Sequence, residues 1–167
     1  VTIKPFAIGK FEVTFEEYDR YAIAMGRTLP GDQNWGRGRR PVINVSWKEA
    51  KDYADWLSRQ TGNRYRLLTE SEWEYAALSG AKHDIWPGTS DEKQVGDFAV
   101  SRDNSKNRTA PAGGKNPNSL GLYDMGGNVW EWVDDCWHDD YKGAPTNGTA
   151  WVEADGVDCG SRVIRGG

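Results

Sequence analysis

The stretch Gly121-Leu122-Tyr123-Asp124-Met125-Gly126-Gly127-Asn128-Val129-Trp130-Glu131-Trp132 fits neither an amphipathic helix nor an alternating strand. A Gly-Gly break, two carboxylates, an amide, a phenol and two indoles sit side by side in it, which implies a tight irregular turn within an aromatic core. Each large aromatic body buries roughly 150–250 Å² in such a core. The carboxylates and the carbonyls freed by the glycine turn need a cation or hydrogen-bond donors. Two arrangements meet that need: a structural calcium site, or a knot of hydrogen bonds and ion pairs without metal. On chemistry alone both stay open.

Upstream of this stretch the pattern is simpler. Residues Val1 to Val13 read as strand, broken by Pro5. Thr14-Phe15-Glu16-Glu17 is a capping box, in which hydroxyl and carboxylate each satisfy an orphan amide at a helix start. Tyr18, Tyr21, Ala22 and Met25 continue as one apolar stripe, and Gly26 is placed to end it. The same grammar recurs at Ser46-Trp47-Lys48-Glu49, with Ala50, Tyr53, Ala54 and Leu57 on the stripe and Thr61-Gly62 as terminator. After a short strand expected from Arg64 to Leu68, a third box, Thr69-Glu70-Ser71-Glu72, opens a short helix that buries Trp73, Ala76 and Ala77. The acidic side chains of Glu70, Glu72 and Glu74 suit a helix N-terminus rather than catalysis. From Ser79 to Pro117 the chain is polar and rich in turn formers, with Asp97-Phe98-Ala99 and Thr109 to Gly113 as short ordered pieces.

Composition limits the function classes. A chain of 167 residues is expected to form a single domain, residues 1–167, and nine Trp with twenty Gly point to an aromatic core threaded by loops. A net charge of −4 gives no basic footprint for nucleic acid, and Arg37-Gly38-Arg39-Arg40 reads as a solvated loop. No apolar run approaches the ~20 residues of a membrane span. Neither nucleic acid nor membrane is therefore expected as a partner. Cys136 and Cys159 pair as a disulfide in this reading, worth roughly 3 kcal/mol by loop entropy, and two free structural thiols are the alternative. Neither cysteine has the basic setting of an activated nucleophile. Sequons at Asn44, Asn107 and Asn147 are short matches of little weight.

The central stretch resembles the signature of the formylglycine-generating enzyme family, also called sulfatase-modifying factor domains. Pro5 to Thr14, Pro41 to Trp47, Tyr65 to Ala76, Asn116-Pro117-Asn118 and Arg162-Val163-Ile164-Arg165-Gly166-Gly167 resemble its other blocks, in order and over nearly the whole chain. The resemblance implies an α+β, loop-rich C-type lectin-like fold of the sulfatase-modifying factor type, with two to three helices and short antiparallel strands. It also implies one structural calcium ion, held by the side chain of Asp124, the carbonyls of Gly127 and Val129 and the carboxylate of Glu131. Those oxygens are of the types that calcium takes. Asn128, Trp130 and Trp132 are assigned to packing and backbone satisfaction.

For function the resemblance offers two classes. In the oxygen-dependent enzymes of the family a copper-binding cysteine pair lies beyond the Arg-Gly-Gly motif, where this sequence stops; Cys136 and Cys159 lie before it and do not match that pair. The domain is accordingly expected to lack the family's C-terminal segment, and copper belongs here only if that segment carries the pair. With His83 and His138 alone, the three-histidine iron site of related sulfoxide synthases has no counterpart. The expectation is a non-catalytic module that binds a protein or small ligand on its loop surface, as in retroelement-diversified variable proteins, within a larger multidomain protein. The alternative is a formylglycine-generating oxidase acting on a sulfatase cysteine.

Overall fold

Three helices begin where a hydroxyl precedes a glutamate by three residues. The structure, a computed structural model, describes residues 1–152 and 159–167. In it α1 (Phe15–Ala24), α2 (Trp47–Thr61) and α3 (Glu70–Ala77) are each opened by the full capping box, from Thr14 with Glu17, Ser46 with Glu49, and Thr69 with Glu72. Gly62 ends α2 in the left-handed conformation, where a residue lacking Cβ is unstrained. Two short 3-10 turns, Gly80–Lys82 and Glu92–Gln94, and the single turn α4 (Val95–Phe98) punctuate the following loops.

The sheet is small. β1 (Trp130–Cys136) pairs antiparallel with β2 (Arg162–Gly166), setting Glu131 opposite Arg165 and Trp132 opposite Ile164, and the register shifts between Trp132 and Cys136. The strand expected over Val1 to Val13 makes no ladder. That segment instead exchanges single bonds with distant partners: the Thr2 amide donates to Thr146, and the Lys10 and Val13 carbonyls accept from Tyr123 and Val42. Residues 64–68 are likewise without a strand, although the Leu68 carbonyl takes the Asp134 amide of β1.

Two apolar clusters fill the interior. Trp73, Ala76 and Ala77 of α3 pack with Leu122, Met125, Val133 and Val163, joining the central stretch to both strands. Tyr18, Tyr21 and Ala22 of α1 pack on Tyr53 and Trp56 of α2 with Val42 and Val45. The stripe on α1 ends sooner than its spacing implied, because Met25 caps the helix and is 48% exposed. Indoles bridge the clusters: Trp47 donates to the Val133 carbonyl at 2.9 Å, and Trp132 donates to the Val45 carbonyl at 3.0 Å.

The arginine loop is not a solvated one. Arg37 grips Asp19 and the Pro30 carbonyl while lying over the Phe15 ring, Arg39 reaches the Ala112 carbonyl, and Arg40 donates to the Thr109 carbonyl. These guanidiniums satisfy loop carbonyls that no ladder serves. Cys136 and Cys159 form a disulfide, with their Cα atoms 5.5 Å apart.

Candidate functional site

Gly127 fixes the shape of the central turn. Its φ is +81°, and a Cβ there would collide with the Val100 carbonyl, which also accepts the Asn128 amide at 2.8 Å. Asp124 and Asn128 flank it with left-handed φ values of 55° and 63°. Such values cost non-glycine residues energy that side-chain bonds must offset. Asn128 does so by receiving the Ala110 amide at 2.8 Å and donating to the Ala110 carbonyl at 3.2 Å and to Glu12 at 2.7 Å. Asp124 receives the Gly113 amide at 2.6 Å.

Around this turn the structure gathers carboxylates. Asp124 is 1% exposed, and its second oxygen, Oδ1, is buried with no hydrogen-bond partner. Glu131, at the start of β1, receives the Trp73 indole N–H at 2.6 Å. Glu12, which sequence reasoning missed, arrives from the far end of the chain with Oε1 also buried and unpartnered. Glu12 lies within the Pro5 to Thr14 block, but that block does not name its partner, because only the folded chain brings residue 12 beside residue 128.

Electrostatics show the strain of this arrangement. Burial pushes the Glu12 carboxyl up to about 9, with the charges of Glu131 and Asp124 adding to the rise and the Asn128 bond opposing it. Glu131 is pushed up to about 7 by burial, against the Trp73 bond and with Asp124 adding. Asp124 is also raised by burial, against the Gly113 amide. As the side chains stand, no three His, Cys, Asp or Glu groups among the described residues converge into a ready cage. A site that takes two of its oxygens from main-chain carbonyls does not need one. Of the expected carbonyls, Val129 already accepts the Gly167 amide at 3.1 Å, which leaves it a second lone pair.

The same turn forms one wall of an open cleft of about 460 Å³. Met125, Gly126, Gly127 and Trp130 line one side, and Trp73, Trp86, Ile164 and Arg165 line others. Trp130 is 64% exposed, so it is not the packing residue that its place in the motif implied. Arg165 lies over the Trp73 ring and pairs with Glu74 at 3.2 Å. The disulfide lies elsewhere: Trp130 and Cys136 occupy opposite ends of β1, about 20 Å apart at ~3.3 Å per residue.

Glu72 is held away from chemistry. Both of its oxygens receive Arg66 at 2.7 Å, and the Thr69 amide donates to it at 2.9 Å. Those bonds lower its pKa despite burial, which by itself acts in the opposite sense. It is a fastening for α3.

Comparison with known proteins agrees with the geometry. A family model described as the sulfatase-modifying factor enzyme 1-like domain matches residues 1–167. The formylglycine-generating enzyme of Thermomonospora curvata is 33% identical over 156 residues, and the match spans 83% of this chain but only 47% of that protein. PvdO from Pseudomonas aeruginosa superposes with a TM-score of 0.85 at 39% identity, over 98% of this chain and 68% of that one. Treponema denticola variable protein 1 gives 0.62 at 29% identity, over 77% of this chain and 62% of its own. The family match over the full chain and the fold shared with these neighbours lead to one conclusion: this chain belongs to the sulfatase-modifying factor family, on a formylglycine-generating-enzyme-like, C-type lectin-like fold.

Proposed function

We propose that this domain is a non-catalytic binding module, stiffened by one structural calcium ion and presenting the cleft beside Trp130 to a small ligand or a protein segment. The observation that carries the binding reading is the cleft, where the exposed indole of Trp130 stands beside half-buried Trp86 and the Arg165 guanidinium, itself held by Glu70 and Glu74. Ligand sites are commonly apolar clefts with a few placed polar groups. Treponema denticola variable protein 1 supports a module of the diversified kind by its likeness.

Calcium is the ion that the residues favour. The side chain of Asp124, the carbonyls of Gly127 and Val129 and the carboxylate of Glu131 offer oxygen alone, the donor type of a hard cation. The orphaned Oδ1 of Asp124, inside the fold, supports a bound cation over a completed hydrogen-bond knot. When bound, the ion supplies positive charge that these carboxylates lack, and the turn then holds Trp130 in place at the cleft.

The runner-up is a formylglycine-generating oxidase, favoured by relatives such as that of Thermomonospora curvata. Its copper would need thiolates. Cys136 and Cys159 are joined to each other and placed away from the cleft, so the enzyme reading requires cysteines other than these. Incubating the protein with copper, oxygen and a sulfatase peptide containing its cysteine, followed by mass spectrometry, separates the two. The binding reading expects an unmodified cysteine; conversion to formylglycine would overturn it.

A further inference from the structure

We infer that Phe11 and Tyr123, with the cations Lys10 and Arg39 beside them, form a docking surface for an acidic peptide segment that carries an aromatic side chain between its carboxylates. None of these four residues lines the cleft, so this surface is a second one and does not depend on the cleft or calcium readings above. The rings of Phe11 and Tyr123 lie 4.9 Å apart, centroid to centroid. The Lys10 ammonium stands 5.6 Å from the first centroid and 5.3 Å from the second, and the Arg39 guanidinium stands 5.7 Å from the first. Lys10 and Arg39 are both exposed, and Phe11 keeps 40% of its surface open to solvent.

The arrangement is built before any partner arrives. The Tyr123 amide donates to the Lys10 carbonyl at 3.1 Å, which lays the opening segment against the central stretch. Gly113, at a φ of +79°, gives the Phe11 ring its seat, since a Cβ there would come within 2.6 Å of the ring. Arg39 donates to the Ala112 carbonyl at 3.3 Å, which holds the guanidinium beside that seat. Groups fixed in this way lose little freedom on binding.

Charge decides the partner. The chain carries a net charge of −4, yet neither Lys10 nor Arg39 forms an ion pair among the described residues. The carboxylates next in sequence to the two rings, Glu12 and Asp124, are bonded instead to Asn128 and to the Gly113 amide. Both cations are thus left to solvent beside an open aromatic pair. Such a surface takes carboxylates at its cations and a flat side chain on its rings, and exposed aromatics with arginine are the usual anchors of interfaces. A peptide is favoured over nucleic acid because two cations give few phosphate contacts.

Fluorescence anisotropy of a labelled, end-blocked Asp-Glu-Phe-Glu-Asp peptide, titrated with protein, tests this. The proteins are the wild type, the double variant Lys10→Gln with Arg39→Gln, and a control, Lys48→Gln, whose ammonium pairs with Asp52 on α2. Glutamine can still donate to the Ala112 carbonyl. The expected result is saturable binding to the wild type that falls as sodium chloride rises, weakens about tenfold in the double variant and is unchanged in the control. The uncharged peptide Asn-Gln-Phe-Gln-Asn and the ring-free peptide Asp-Glu-Ala-Glu-Asp should each bind about tenfold more weakly. Equal binding of either one, or a wild type that binds none, overturns the inference. An oligothymidine that binds as tightly as the acidic peptide overturns it too, in favour of unselective anion capture. NMR titration of the wild type covers the case in which the double variant fails to fold: amide shifts should concentrate at Lys10, Phe11, Arg39 and Tyr123. Shifts that gather around Trp86 and Trp130 place the peptide in the cleft, which overturns this inference and leaves the binding-module reading standing.

Discussion

At the scale of single residues, the central turn leaves little room for substitution. Gly127→Ala places a Cβ against the Val100 carbonyl at a left-handed φ, and a loss of about 3 kcal/mol is expected in urea unfolding. Glu72→Ala removes the partner of Arg66 and the second half of the α3 capping box. With Arg66 partly exposed, about 2 to 3 kcal/mol is expected by the same measurement.

The raised carboxyls give a pH dependence with a definite sign. Folding lifts Glu12 to about 9 and Glu131 to about 7 from their unfolded 4.5. The folded protein therefore holds protons that the unfolded chain releases, and stability falls as pH rises from the unfolded value through the folded ones. Chelator-treated protein should thus melt higher near about pH 5 than near about pH 8. Calcium, which competes with those protons, should recover more of the melting temperature at the higher pH. Equal melting temperatures in chelator at both pH values would count against the burial of these groups.

Elements show what the amino-acid order encodes locally and what it leaves to tertiary structure. The capping boxes at Thr14, Ser46 and Thr69 were legible because the hydroxyl, the glutamate and the amides they satisfy lie within one turn. The Val1 to Val13 segment looked like a strand because alternation reports an extended backbone, whereas a ladder depends on a partner that sequence does not name. β1 is the reverse case. Its Trp-Glu-Trp-Val-Asp-Asp-Cys order hides the alternation, because the register shift after Trp132 changes which face is covered. Arg37, Arg39 and Arg40 misled for a similar reason: their carbonyl partners are scattered along the chain. Of the candidate site, Asp124 and Glu131 were legible from one motif, and Glu12 was not.

The cysteine arm is tied at this level too. The disulfide joins residues separated by 23 positions and anchors the arm to the end of β1. Cys159→Ser is expected to cost about 3 kcal/mol in denaturant unfolding under oxidising conditions. The same variant in reductant should then match the reduced wild type.

Over the whole molecule, the proposed cation site and the cleft share one turn, since Gly126 and Gly127 line the cleft. On that proposal, ligand uptake is coupled to the ion without any ligand contact to it. Trp130, exposed at the cleft, offers a clean probe: Trp130→Ala should change stability by no more than about 0.5 kcal/mol while removing any small-molecule binding found by tryptophan fluorescence. Binding that survives this substitution would place the ligand surface elsewhere.

The most direct measurement is the melting temperature of chelator-stripped protein, before and after calcium is restored, for the wild type and Glu131→Gln. A rise on calcium addition that is present in the wild type and absent in Glu131→Gln is the expected result. A wild type whose melting temperature ignores calcium would contradict the proposal that an ion holds the Gly126-Gly127 turn and, with it, the cleft.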